Sequence, residues 1–165
     1  MCMRNKLIYD FMEHGLYYEP MKSNISDKTI CLAIDTLQLE YDCFLGKIVG
    51  VAGYLPLIKA RKKPVEILPC VEEDFSIKID NLKIIKGIAY DFFKFFPKSK
   101  VYFLNGGLPV ITYDSENKRI LIGKEGNRKK NFQVTKNIIC STDEDGNLSA
   151  ILLVLDRVIL RQEDG

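Results

Sequence analysis

The 165-residue chain has a single histidine, His14. A Ser-His-Asp or Cys-His nucleophilic site would have to be built around it. His14 sits in turn chemistry between two short apolar stretches, Leu7–Tyr9 and Leu16–Tyr18, and no G-x-S-x-G elbow accompanies it. The five cysteines (Cys2, Cys31, Cys43, Cys70, Cys140) are odd in number and show no C-x-x-C spacing. That pattern excludes a disulfide framework or a grouped zinc site and points to reduced thiols in a cytoplasm. No apolar run approaches the roughly 18–20 residues needed to cross a bilayer, and the N-terminal MCMRNKLIYDFMEHG lacks the apolar core of a signal peptide, so no membrane partner is expected.

Other shortages remove further classes of chemistry. Asn105-Gly106-Gly107 is glycine-rich but lacks both the Lys-Ser/Thr of a P-loop and the G-x-G-x-x-G of a dinucleotide turn. Asp143–Asn147 resembles part of a calcium loop, yet the twelfth position counted from Asp143 is Val154 where an EF-hand needs glutamate. The triplets Asn24-Ile25-Ser26 and Asn147-Leu148-Ser149 match the glycosylation sequon, a match short enough to arise by chance. No catalytic residue, metal ligand or cofactor is therefore assigned.

What the chain does have is strand patterning. Asn137–Leu155 reads as strand, tight turn and strand, with Asp145-Gly146 supplying the left-handed turn position. The outgoing strand is apolar on both faces, Leu148, Ala150, Leu152 and Val154 against Ile151, Leu153 and Leu155, so it needs cover on both sides. Leu37–Cys43 alternates strictly with polar residues, the period of a strand with one wet face. Ile48–Tyr54 returns beside it, and Gly50 and Gly53 mark a bulge or a close backbone approach. Val110–Tyr113 and Arg119–Ile122 form a further hairpin around Asp114–Asn117. Pro56, Pro64 and Pro69 exclude a long helix between them, leaving Lys59–Lys63 as a basic linker and Val65–Leu68 as a short strand. Lys124–Lys130 reads as a flexible basic loop.

Residues 81–96 carry both a helical stripe and strand-forming composition; the strand reading is preferred because Gly87 interrupts the stripe and Ile and Phe are abundant. The expected fold is a mainly β, hairpin-rich sandwich or distorted barrel of about 8–11 strands in one domain spanning 1–165, with an α+β fold carrying one helix near 81–96 as the alternative. Similar turn-and-return segments at Leu45–Val49, Lys98–Tyr102 and Asp145–Ser149 suggest a weak internal duplication.

The function expected from this inventory is a non-catalytic interaction module that binds, and thereby neutralises, another protein, as a small bacterial or phage-encoded inhibitor does. Two alternatives stand beside it. The chain is nearly charge-balanced at +2, yet Arg61-Lys62-Lys63 and Arg128-Lys129-Lys130 concentrate six positive charges in two loops. If the loops converge, they form a rim for nucleic acid or another polyanion; otherwise they keep the protein soluble. The other alternative is a hydrolase that gathers Asp91, Asp114 and Glu116 in a cleft, at least one of them with a raised pKa.

Overall fold

The computed structural model describes residues 5–19, 29–34, 36–73, 75, 89–92, 103–104 and 108–160. Leu7–Tyr9 and Leu16–Tyr18 lie in a hairpin of β1 (Lys6–Asp10) and β2 (Gly15–Glu19), turned at His14, whose φ of 53° is left-handed. Next come β3 (Thr29–Ile34), β4 (Leu37–Asp42) and β5 (Lys47–Tyr54), paired antiparallel in sequence order. Asp42 sets the β4–β5 turn, its carboxylate accepting the N–H groups of Phe44 and Leu45, each at 2.9 Å.

Both glycine signals in β5 are accounted for. Pairing steps from Glu40 opposite Gly50 to Tyr41 opposite Ile48, which leaves Val49 as a bulge. Gly53 has a φ of 115°, and a Cβ there would lie 2.5 Å from the carbonyl oxygen of Thr36. Only glycine fits that approach.

The two-residue β6 (Arg61–Lys62) and the three-residue β7 (Ala89–Asp91) follow, and then β8 (Phe103–Leu104) and β9 (Leu108–Pro109) pair with each other. The C-terminal part supplies β10 (Ile111–Asp114), β11 (Arg119–Gly123), β12 (Lys130–Thr135), β13 (Ile138–Thr142), β14 (Leu148–Val154) and β15 (Arg157–Ile159). Ten of these strands are four residues or longer, the number expected; the other five are short bridges that carry too little periodicity to be read.

Two mixed sheets result. One has the order β15-β1-β2-β5-β4-β3-β7 and the other β12-β13-β14-β11-β10-β6, and neither closes into a barrel. Their inner faces share one apolar core that joins Leu39 and Val51 of the first sheet to Ile122, Ile151 and Leu153 of the second. This is a sandwich-like arrangement. The parallel pairs are β1 with β15, β3 with β7 and β10 with β6.

The outer face of the six-stranded sheet is crossed by an extended strap, residues 63–73. Val65 is buried there against Leu121, Ile139, Ala150 and Leu152. Val65–Leu68 is thus not a strand, and the ladder contact lies one step earlier, where Arg61–Lys62 in the expected linker pairs with Thr112–Tyr113. Pro64 and Pro69 deny the strap a ladder, because neither has an N–H to donate. Side chains satisfy its backbone instead. Asp114 accepts the Val65 N–H at 3.0 Å, Arg119 donates to the Val65 carbonyl at 2.7 Å, and Arg128 donates to the Glu66 carbonyl at 2.9 Å. At the far edge the Val71 N–H donates to Asn131 of β12 at 2.9 Å.

Three further expectations are refined. Leu148 lies on the inner face with Ile151, not with Ala150, because pairing jumps from Ser141 opposite Ala150 to Thr142 opposite Leu148 and the extra residue, Ser149, inverts the alternation. The basic loop 124–130 is anchored: Glu125–Asn127 is a 3₁₀ turn, and the Lys129 N–H donates to Thr142 at 3.0 Å. Of residues 81–96, Ala89–Asp91 is strand beside β3, and apart from Phe92 the rest lies outside the described residues. So does the middle segment of the suggested duplication, 98–102.

Candidate binding surfaces on the two faces of β6

A strand sends successive side chains to opposite faces, and β6 therefore splits the first basic triplet. Lys62 pairs with Tyr113 and takes the groove side of the strand, where it stays exposed. Its ammonium donates to the Leu57 carbonyl and lies 5.4 Å from the centre of the Tyr113 ring, and partial burial lowers its pKa. Arg61, opposite Thr112, takes the outer face with Lys63.

The second triplet is spent largely on structure. Arg128 is buried and holds the strap at Glu66; burial lowers its pKa, opposed by Glu125 and Glu66. Lys130 pairs with Glu73 at 2.9 Å and lies 5.5 Å from the Phe132 ring centre. The Lys129 side chain is exposed. The two loops do meet, because Glu125 contacts Lys63 at 2.8 Å and Arg128 at 4.0 Å. They converge around a carboxylate instead of forming an open basic rim.

The outer face of β6 carries a pocket of about 220 Å³, lined by Arg61, Lys63, Thr112, Lys124, Glu125 and Gly126 among others. The inner side opens into a larger, mostly apolar groove of about 430 Å³ between Phe11, His14, Leu57, Ile58, Lys62 and Leu160. The groove wall is held from several directions. Tyr9 donates its hydroxyl to the Leu55 carbonyl at 2.7 Å, the Leu55 N–H donates to His14 at 2.7 Å, and the Phe11 N–H donates to Ile159 at 2.9 Å. Phe11 makes edge contacts with Tyr9 and Tyr113, centroids 4.8 and 5.7 Å apart. The His14 ring lies edge-on to Tyr54 at 6.2 Å, and its buried Nδ1 has no hydrogen-bond partner among the described residues.

Large apolar side chains stand in the open in and beside this groove: Ile58 is 82% exposed, Leu160 67%, Met12 58% and Tyr54 48%. Single exposed apolar residues are ordinary, whereas these stand together in and beside one groove. The composition of no single stretch announced it, since the lining comes from the β1–β2 turn, the β5–β6 connection and the residue after β15. The local hint was Leu57-Ile58, an apolar pair set between Pro56 and the basic linker.

The proposed carboxylate cleft has no comparable geometry. Asp91 is exposed on β7 in one sheet, whereas Asp114 and Glu116 belong to the β10–β11 hairpin of the other. Burial of Asp114 opposes its ionisation, but hydrogen bonds from the Val65 N–H and from the Asn117 side chain and backbone prevail and hold its carboxyl below the ordinary range. Asp143 likewise spends a carboxylate oxygen on its own turn, accepting the N–H groups of Asp145 and Asn147 at 2.9 and 3.0 Å. Among the described residues no three His, Cys, Asp or Glu side chains are grouped closely enough to hold a metal ion. Cys140 is fully buried, and that burial pushes its thiol up to about 12, so it packs as a small hydrophobe. No helix among the described residues is long and apolar enough to cross a membrane.

No family model, curated protein or solved structure matches this chain.

Proposed function

We propose that the protein is a non-catalytic, cytoplasmic interaction module that binds another protein through the groove at Phe11, Leu57, Ile58 and Leu160. The observation that carries this reading is the concentration of exposed apolar side chains around a concave, mostly apolar wall. The occupant is a short apolar segment bearing a carboxylate. Apolar side chains displace water from Ile58 and Leu160, the carboxylate meets the Lys62 ammonium, and a polar group of the segment satisfies His14 Nδ1. Such a partner is neutralised if the segment taken up is one it needs for its own activity.

Capture from the source cell tests this with two matched variants. Ile58→Asp places a charge in the groove, whereas Phe44→Asp alters an exposed tip (Phe44 is 73% exposed) at the opposite end of the seven-stranded sheet. A stoichiometric protein retained by the parent and by F44D but lost from I58D supports the proposal. Equal retention by all three, or turnover of a substrate by the purified chain, overturns it. Concentration-dependent self-association abolished by I58D would overturn the heterologous form and make a second copy the partner.

A further inference from the structure

The outer pocket on the other face of β6 has a chemistry of its own. Three cations line it, Arg61, Lys63 and Lys124, against one carboxylate, Glu125. Glu125 is already engaged by Lys63 at 2.8 Å, with Arg128 behind it at 4.0 Å. The Arg61 guanidinium makes no hydrogen bond or ion pair among the described residues, although its backbone is fixed in the ladder opposite Thr112. Thr112, buried beside it, is the polar residue of the sheet that also lines the pocket. A planar guanidinium held on a strand beside a small cavity suits a tetrahedral oxyanion, which it can grip through two parallel N–H donors.

From this arrangement we infer that the outer pocket binds a single phosphate group, either as inorganic phosphate or as the terminal group of a small phosphomonoester. Charge and size agree. The lining carries a net +2, and a phosphomonoester carries about −1.5 to −2 at neutral pH. The volume of about 220 Å³ admits one phosphate with a small substituent. A nucleic-acid track fits less well, because it needs a row of available cations. Lys62, Arg128 and Lys130 are instead held by Leu57, Glu66 and Glu73. This site is separate from the apolar groove, and either can fail without the other.

Amide chemical-shift titration of the full chain tests the inference, with inorganic phosphate, glycerol phosphate and a single-stranded oligonucleotide as the probes. Phosphate or glycerol phosphate should shift the Gly123–Gly126 amides saturably. Arg61→Gln should weaken binding about tenfold or more, as loss of a hydrogen bond to a charged group does, and Lys124→Gln should act in the same direction. Lys129→Gln, outside the pocket, should leave the affinity unchanged. A stronger response to glycerol phosphate identifies the phosphomonoester as the ligand, and an equal response identifies free phosphate. No saturable shift, or binding indifferent to R61Q in a folded protein, overturns the site. So does tight, salt-steep oligonucleotide binding that K129Q weakens as much as R61Q.

Discussion

The two sheets of the sandwich use opposite sequence strategies. In the seven-stranded sheet, β3 and β4 alternate buried with partly or fully exposed residues, one face on the core and one in water. In the six-stranded sheet every residue of β13, and every residue of β14 before Val154, is buried. The difference is the strap. By laying Val65 over Leu121, Ile139, Ala150 and Leu152, it converts a mainly antiparallel sheet that would have had a wet face into one covered twice. Cover by strands on one side and by an irregular segment on the other demands more of polar side chains, because Asp114, Arg119 and Arg128 must replace the missing ladder.

The largest expected effect tests whether the strap is a true second cover. Leu152 faces it and Leu153 faces the inner core, and both are buried. Leu152→Ala and Leu153→Ala should each lose about 2–5 kcal/mol in urea unfolding. A loss below about 1 kcal/mol for L152A alone would mean that the outer face is already wet in solution.

A smaller effect comes from the groups that hold the strap. Asp114→Ala leaves the buried Val65 N–H without its acceptor and should cost about 1–3 kcal/mol. The pH dependence has a definite sign. The Asp114 carboxyl is depressed in the fold from 3.8, so its contribution is complete above that unfolded value and is lost as pH falls through the lower folded one. Asp156 acts the same way where β14 leads into β15. Burial there again opposes ionisation, while the Leu7 N–H, Asn137 and Lys136 overcome it. Acid unfolding should therefore become less steep in Asp114→Asn and in Asp156→Asn. An unchanged acid limb in both variants would remove these carboxylates from the account. At the small end, Gln38→Ala on the wet face of β4 should change stability by no more than about 0.5 kcal/mol. A larger loss would show that this face is covered too.

The same contrast explains what the sequence disclosed. Period-two alternation identified β4, and composition with turn residues identified the hairpins at 110–122 and 137–155, because those signals are local. Gly50 and Gly53 pointed to a bulge or a close approach, and the structure has a bulge at Val49 and a close approach at Gly53. The strap was misread as linker and strand because its backbone partners, Asp114, Arg119, Arg128 and Asn131, lie 49 or more residues away in sequence. Leu148 changed face through one extra residue that no alternation count reveals. For the sites, the basic triplets were visible, but the division of the first between inner and outer faces of β6 followed from a two-residue pairing too short to leave a pattern. The groove was invisible as a unit, since Phe11, Ile58 and Leu160 meet only in three dimensions.

The return of β15 to pair in parallel with β1 has a temporal consequence. Leu7 is tied to Asp156 and Phe11 to Ile159, so the first strand acquires its outer neighbour only when the chain has been made nearly to residue 160. Contacts this distant close late, after the local hairpins have formed. The apolar wall that includes Phe11 and Leu160 is therefore absent from any shorter nascent chain. A chain that stops short of Leu160 carries the groove's parts without its shape, and the wall is complete only once β15 has paired with β1.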